Sequence, residues 1–291
     1  MYNINGDIMT SNVDGVLFIN KPKGITSFDV VRVIKKIFKM KKVGHTGTLD
    51  PLATGVMLVC LGKATKIVEL LTAEDKEYVA SAKLGIKTDT LDITGEVIDK
   101  KEIIEFNNLE EVLNSFKKTY MQEVPIYSAV KIKGKKLYEY ARNKEDIDLP
   151  KREITIKEIE LLEQEKDTFK FRVLVTKGCY IRSLINDIGE ALNTYATMTD
   201  LERTKQVVDI KDTNTLEDIK NNNYTLHSIE DVLNYPVQIV DEELEYKISN
   251  GVKLDNIYNV KDKIIFKNKN NKLLGIYQLD KNKLKVWKNF I

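Results

Sequence analysis

This chain of 291 residues has few of the side chains that most often bind metals or form disulfides. It contains two cysteines and two histidines. Cys60 and Cys179 fit reduced thiols of the cytosol better than a disulfide framework. With only His45 and His227 and no CxxC pair, the sequence also argues against a zinc site. The chemistry must therefore depend on carboxylate, hydroxyl, Lys, Arg and Tyr side chains.

Long apolar runs and nucleotide-binding motifs are missing as well. No apolar run approaches the roughly 20 residues that span a bilayer. The first residues, MYNINGDIMTSNVDG, have no basic region followed by an apolar one, so they do not form a secretory signal. We therefore expect a cytoplasmic protein with no membrane segment. The absence of a Walker loop, GxGxxG, HExxH or a nucleophile elbow argues against nucleotide-dependent enzymes and the common hydrolases.

The net charge of +2 conceals a strong segregation of charge along the chain. Six cations and no acid lie between Asp29 and Asp50, and residues 256–291 contain nine lysines against two acids. Residues 212–245, in contrast, contain nine acids against Lys220. Segregated basic segments suggest a polyanionic partner on one face, although solvated lysine faces would give the same pattern.

The pattern of strands and helices predicts an α+β protein. A buried strand over 14–20 precedes a helix opened by Thr26 or Ser27, and alternating residues predict a hairpin over 154–178. Residues 178–193 look like the end of a strand that leads into a helix. The acidic, Asn-rich stretch 212–236 is the best candidate for a domain boundary. Beyond it, about 55 residues with short lysine-rich strands have the size of a small β-barrel module.

One short loop, GHTGTLDPLATGV at 44–56, holds a single carboxylate, Asp50. An Asp-Pro pair in a Gly/Thr-rich loop is most often only a turn. Alternatively, a rigid loop presents one ionised carboxylate to a substrate, as nucleophile or base. Glycosidic chemistry usually needs a second carboxylate to protonate the leaving group. A single carboxylate suffices when the leaving group is a nucleobase that is to be reattached.

Two tyrosines and one arginine are further candidates. Tyr78 and Tyr180 read as strand residues, which are usually core, but a base taken out of a nucleic acid stack also needs an aromatic platform. Arg182 follows Tyr180 by two residues, so on a strand both would point to the same face. Arg182 could then pair with Asp50 in a bidentate manner, although a surface position is the simpler interpretation of Arg182 alone. His45 is by default a turn residue.

Several stretches together match a known family. FINKPKGITSFD, VGHTGTLDPLATGVMLVCLGKATK, DKEYVASAKLGIKTDTLD, VPIYSAVKIKGKKLYEYAR, KGCYIRSLINDIGEAL and LERTKQ occur in the family's order. On these motifs the chain resembles the bacterial tRNA pseudouridine-55 synthases, over roughly residues 14–291. The resemblance implies a pseudouridine synthase fold, in which a mixed, mainly antiparallel sheet is flanked by helices. It also implies a catalytic domain over 14–236, a PUA-like, β-barrel-like RNA-binding module over 237–291, and an extension over 1–13 that we predict to be disordered.

The resemblance also implies roles for individual residues. Asp50 would attack C1′ of the ribose, or would assist formation of a glycal by removing a proton at C2′. Tyr78 would stack on the flipped base and help to remove the C5 proton, and Arg182 would pair with Asp50. The implied substrate-binding residues are His45 in the space left by the flipped nucleotide, Tyr180 and Leu201 in the base pocket, Lys21 behind the loop, and Tyr127 and Lys131 as further contacts.

The implied reaction is redox-neutral and needs no cofactor and no metal. The partner would be the T-arm of tRNA, bound by a monomer without guide RNA. An RNA chaperone that binds and flips without catalysis is the alternative of a different class, and both activities could coexist. The guide-RNA-dependent relatives of archaea and eukaryotes share the GTLDP loop, but the compact tail favours the guide-independent type. A nucleoside hydrolase is disfavoured because no second carboxylate accompanies Asp50 in the loop.

Overall fold

In the computed structural model, residues 13–103 and 108–291 are described. The predicted extension over 1–13 therefore lies outside the described residues except for Val13. The strands are β1 Gly15–Lys21, β2 Val43–His45, β3 Thr54–Leu61, β4 Lys76–Leu84, β5 Ile86–Thr88, β6 Val97–Lys100, β7 Thr119–Glu123, β8 Lys131–Ile132, β9 Lys135–Lys136, β10 Lys151–Gln164, β11 Thr168–Val175, β12 Ala196–Gln206, β13 Val208–Asp209, β14 Val237–Val240, β15 Leu254–Asp255, β16 Lys263–Asn268, β17 Leu273–Asp280 and β18 Lys283–Asn289. The helices are α1 Ser27–Ile37, α2 Val68–Ala73, α3 Leu109–Ser115, α4 Leu137–Arg142, α5 Ile181–Ala191, α6 Leu216–Lys220, α7 Ile229–Leu233 and α8 Glu242–Ser249, with 3₁₀ turns at Gly62–Ile67 and Ile210–Asp212.

The larger sheet is mixed and mainly antiparallel, as predicted. Its main path runs β1-β3-β12-β4-β11-β10-β7, with β2 paired to β3 and β13 paired to β12. The pairing of β12 with β3 is parallel, while the other pairs of this sheet are antiparallel. The sheet therefore brings β12, from late in the chain, between β3 and β4. Strands β12 and β4 therefore lie beside β3, which begins directly after the loop that carries Asp50.

The pattern of buried residues along a strand shows whether one or both of its faces are packed. Strand β4 alternates between buried and half-buried residues, as expected for a strand with one face on a core. Strand β3 is instead buried along nearly its whole length, because it packs on both faces. Val56, Leu58 and Cys60 belong to one apolar cluster, and Met57 and Val59 belong to another on the opposite face.

Two helices position the site, and both have clear local signals. Helix α1 begins after Thr26, whose side chain accepts from the Asp29 N–H while the Asp29 carboxylate accepts from the Thr26 N–H. The sequence predicted Thr26 or Ser27 as the residue that opens this helix, and the capping box identifies it as Thr26. Helix α5 begins after Tyr180 and buries Leu184, Ile185 and Ile188 against the sheet. The prediction that Tyr180 and Arg182 lie on a strand was wrong, since Arg182 lies in the first turn of α5.

The C-terminal residues form a second sheet of five strands in the order β14-β16-β17-β18-β15, a curled half-barrel. The stretch at 212–236, which the sequence marked as a boundary, is itself folded on β1. Asn214 and His227 form β-bridges to Ile19 and Val16, and the ring of His227 stacks on Phe18 at 3.9 Å. Within the described ranges, no helix is long and apolar enough to cross a membrane.

Candidate active site

The loop between β2 and β3 carries Asp50 and is fixed from both sides. The hydroxyl of Ser27, at the start of α1, donates to the Leu49 carbonyl at 3.0 Å and accepts from the Leu49 N–H at 2.8 Å. On the other side, Nζ of Lys21 donates to the Ala53 carbonyl at 2.7 Å. The Gly24 N–H donates to the Pro51 carbonyl at 2.7 Å. The loop is therefore a rigid platform rather than a free turn.

Asp50 forms an ion pair with Arg182. Nε of Arg182 lies 2.9 Å from Oδ2 of Asp50, and the side chains are 6% and 36% exposed. The two remaining guanidinium nitrogens donate to the carbonyls of Thr90, at 2.8 Å, and Tyr127, at 3.0 Å. The cation is thus buried and fully held, while the carboxylate faces an open cavity. The predicted partners are adjacent, although Arg182 approaches from a helix and not from a strand.

A cavity of about 500 Å³ opens in front of Asp50. The ring of Tyr78 from β4, the ring of Tyr180 and the side chain of Leu201 from β12 line it together with Arg182. Aromatic and aliphatic walls around one carboxylate suit a flat, partly apolar ligand such as a nucleobase. With Tyr127, the structure thus brings together six of the residues that the sequence singled out.

The hydroxyl of Tyr78 lies against Arg203, a residue that the sequence analysis did not single out. Tyr78 and Arg203 are opposite one another in the β4–β12 pairing, and the guanidinium charge lies close enough to the phenol to act on its pKa. Burial raises the pKa of Tyr78, and the nearby Arg203 opposes that increase. Arg203 is 1% exposed and also donates to the carbonyls of Val56 and Gly47.

Comparison with known proteins identifies the family. Residues 35–181 match the model of the TruB family pseudouridylate synthase (N terminal domain). The chain is 47% identical over 289 residues to the tRNA pseudouridine synthase B of Fusobacterium nucleatum, covering 94% of this chain and 98% of that protein. It is 45% identical over 276 residues to that of Clostridium tetani, covering 92% and 93%. The chain belongs to the TruB family of pseudouridylate synthases. It is therefore an isomerase, a tRNA pseudouridine synthase.

Solved structures agree with this family at the level of the fold. A chain of a Cbf5-Nop10-Gar1 complex matches with a TM-score of 0.71 at 26% identity, covering 100% of this chain and 89% of that one. A chain of an H/ACA RNP bound to a substrate RNA containing 2′-deoxyuridine matches with the same TM-score, 0.71, at 24% identity and with the same coverage, 100% and 89%. Both matches extend over the whole chain, so they include the C-terminal sheet.

The remaining predicted site residues of this TruB-family chain lie at different distances from the cavity. Tyr127 lines it and donates from its hydroxyl to Asp89 at 3.0 Å. Lys21 is buried behind the loop, where burial lowers its pKa to about 8 and the charge of Asp50 partly opposes that decrease. His45 ends β2 and lies outside the lining of the cavity, as does Lys131, which is exposed in the β8–β9 hairpin.

A second carboxylate near Arg182 was also missed from the sequence. Oδ2 of Asp92 lies 3.9 Å from Nη1 of Arg182, and the side chain is 8% exposed. Its other oxygen, Oδ1, accepts from the Thr94 N–H at 3.0 Å and from the hydroxyl of Thr90 at 3.1 Å. The turn-prone stretch TDTLDITG was the available signal, because Asp side chains commonly bond to the backbone of such turns. Asp92 stabilises the segment whose Thr90 carbonyl holds Arg182.

Proposed function

We propose that this enzyme isomerises uridine 55 in the T-loop of tRNA, with Asp50 as its essential carboxylate. The observation that carries this proposal is the ion pair at 2.9 Å between Asp50 and Arg182 at a cavity walled by Tyr78, Tyr180 and Leu201. The ion pair holds the carboxylate in position at the cavity, and the walls accept a base that has left the stack. Flipping a nucleotide costs a few kcal/mol of unstacking, which contacts to the flipped base can offset.

The isomerisation exchanges one glycosidic bond for another. The N1–C1′ bond breaks, the detached uracil rotates, and a C5–C1′ bond forms. The C5 proton leaves and N1 gains a proton, so atoms and electrons balance without an oxidant. Asp50 either attacks C1′ directly or removes a proton at C2′ to give a glycal, and both routes use the same position of its carboxylate.

Tyr78 is the candidate for removal of the C5 proton. Because burial raises its pKa, the phenol is protonated at neutral pH. It can therefore accept the C5 proton only after its own proton has passed to N1 of the detached base, which gains a proton in the reaction. The guanidinium of Arg203 beside the phenol oxygen stabilises the phenolate that forms during this transfer.

The proposed partner is the T-arm of tRNA alone, bound by a monomer in the cytoplasm without guide RNA. The relatives from Fusobacterium nucleatum and Clostridium tetani match this chain over 94% and 92% of its length, so the proposed substrate follows their names. A tRNA-folding activity could accompany catalysis, because binding and flipping precede the chemical step. Such an activity would not require the carboxylate of Asp50.

Release of tritium from C5 of uridine in an unmodified tRNA transcript tests the proposal, with EDTA present and no cofactor added. We expect release by the wild-type protein, and none from a transcript that lacks uridine 55. Asp50→Asn should abolish turnover while RNA affinity is retained. Asp167→Asn is the matched control, since Asp167 pairs with Lys83 at 3.1 Å at the far end of the β10–β11 hairpin and should keep full activity. Tight RNA binding without release by the wild type would overturn the enzyme proposal in favour of a chaperone.

A further inference from the structure

A second cavity, of about 590 Å³, lies on the other side of Tyr78. It shares Thr48, Tyr78, Arg152, Cys179 and Tyr180 with the lining of the active-site cavity, so these residues form the wall between the two. The shared wall means that a ligand in the second cavity would lie next to a base bound against Tyr78. The rest of the lining differs in character from the active site, because it contains three cations, Lys76, Lys177 and Arg203.

Two cations of the second cavity are buried. Lys76 is 7% exposed and Arg203 is 1% exposed. Nζ of Lys76 donates to the carbonyls of Thr72, at 2.9 Å, and Glu74, at 2.8 Å, and its third proton has no acceptor among the described residues. Among residues 13–103 and 108–291, neither cation has a carboxylate within 4.0 Å. Burial without a counter-charge is costly unless a ligand supplies that charge.

Two further cations, Arg152 and Lys177, are exposed at the rim of the cavity. They too form no ion pair within the part of the chain that the structure describes. Glu153 is the single carboxylate in the lining, against four cations. Cations on both the floor and the rim produce a positive potential that attracts anions and retains them where water is partly excluded.

We propose that the cavity of Lys76, Arg152, Lys177 and Arg203 binds a backbone phosphate of the RNA beside the flipped uridine. A phosphodiester presents acceptor oxygens that both a guanidinium and an ammonium can bind. Such a contact would fix the strand on one side of Tyr78 while the base enters the cavity on the other side. The inference rests on the proposed function, since it assigns the neighbouring phosphate to the same substrate.

Free inorganic phosphate has the same chemistry, so the experiment must separate it from the RNA backbone. T-arm stem-loops are synthesised with one neutral methylphosphonate at each position flanking the target uridine. Dissociation constants are measured for the wild type, Lys177→Gln and Lys76→Met, in chloride and in inorganic phosphate at equal ionic strength. Lys166→Gln is the matched control, because Lys166 is an exposed lysine at the turn of the β10–β11 hairpin, far from the cavity. Lys177→Gln changes an exposed side chain, so its result does not depend on the tolerance of a buried site.

For the wild type and Lys166→Gln, we expect one methylphosphonate position to weaken binding about tenfold, the loss of one charge-assisted contact. For Lys177→Gln and Lys76→Met, a methylphosphonate at that position should weaken binding little, because these variants already lack the contact. Equal losses in all proteins, or no sensitive position, would overturn the inference. Competition by inorganic phosphate without any sensitive position would indicate a free-anion site instead. Tritium release from the stem-loop without a methylphosphonate tests the proposed function separately. Release without any sensitive phosphate position would overturn the phosphate site and leave the proposed function standing.

Discussion

Arg182 is the residue that most directly fixes the reactive carboxylate. Its three nitrogens reach Asp50 and the carbonyls of Thr90 and Tyr127. Lysine carries the same charge, but a single ammonium on a flexible stem cannot reproduce this planar fork. We expect Arg182→Lys to lower the single-turnover rate of tritium release by about 100-fold, with a smaller effect on RNA affinity.

The control for this prediction is Arg172→Lys on strand β11. Arg172 also pairs with several carboxylates, those of Glu77, Glu158 and Glu160, but it lies away from the cavity. It should keep the wild-type rate. If Arg182→Lys turned over as fast as Arg172→Lys, the position of Asp50 would not depend on this ion pair.

Asp187 gives a prediction about stability and pH. Burial raises its pKa to about 6, and the Tyr120 hydroxyl donates to it at 3.0 Å. The folded state therefore binds more protons than the unfolded state between about pH 4 and 6, so stability falls as the pH rises through this window. Above pH 6 the cost of the buried charge is present in full, and an amide would remove it.

We therefore expect Asp187→Asn to raise the melting temperature by about 2–4 °C at pH 7.5, and by clearly less at pH 4.5. The control is Asp209→Asn on β13, away from Asp187 and Tyr120. It should change the melting temperature equally at both pH values. A larger increase for Asp187→Asn at pH 4.5 than at pH 7.5 would contradict the assigned cause.

At the level of single residues, the sequence identified side chains that stand out among their neighbours along the chain. Asp50 stood out as the only carboxylate in a turn-prone loop. Its catalytic role and its pairing with Arg182 came from the resemblance to the family, since the residues alone favoured a turn and a surface position. Arg203 was not visible, since an arginine within LERTKQ has the spacing of a surface position. Its burial arises from the parallel contact of β12 with β3, which joins segments distant in the sequence.

Among secondary-structure elements, local signals predicted some boundaries and not others. The start of α1 followed from Thr26 and the strand β3 from its continuous apolar run. The start of α5 was misread because Tyr180 is an unusual residue to precede a helix and its side chain makes no capping hydrogen bond. The spacing of Ile181, Leu184, Ile185 and Ile188 is helical and would have placed Arg182 in the first turn.

Gly55 lies opposite Arg203 where β3 pairs with β12. Its φ is +103°, and a Cβ there would lie 2.2 Å from the Arg203 carbonyl oxygen. We expect Gly55→Ala to cost about 3 kcal/mol of stability and to lower activity, because β12 carries Leu201 and Arg203. Chemical denaturation and tritium release below the melting temperature measure the two effects.

Gly134 separates conformational strain from the steric clash in that experiment. Its φ is +83° and nothing lies within 4 Å of the position that an alanine methyl group would occupy, so Gly134→Ala retains the strain alone. It should cost about 1 kcal/mol. Equal losses of stability at the two glycines would show that the loss at Gly55 does not arise from the close approach of β12 to β3.

In the molecule as a whole, the two sheets share one apolar cluster. Ile265, Ile276 and Phe290 from the C-terminal sheet pack with Val16 and Phe18 from β1. The sequence predicted the existence of a C-terminal β module from its short strands and its length. It could not predict this shared core, since the contacts join residues from opposite ends of the chain and follow no local periodicity.

Phe290 is the best test of whether the two sheets unfold together. Its side chain is fully buried, and the Lys63 and Lys66 ammonium groups donate to the carbonyls of Phe290 and Asn289. Phe290→Ala should cost about 3–5 kcal/mol and lower the midpoint of a single calorimetric transition. Tyr246→Ala removes a ring that is 72% exposed on the same module, and it should change stability by less than about 0.5 kcal/mol. If Phe290→Ala instead split the transition in two and left the upper one at the wild-type midpoint, the larger sheet would be stable without the module. A single lowered transition would mean that the C-terminal sheet is coupled in stability, through β1 and β3, to the loop that carries Asp50.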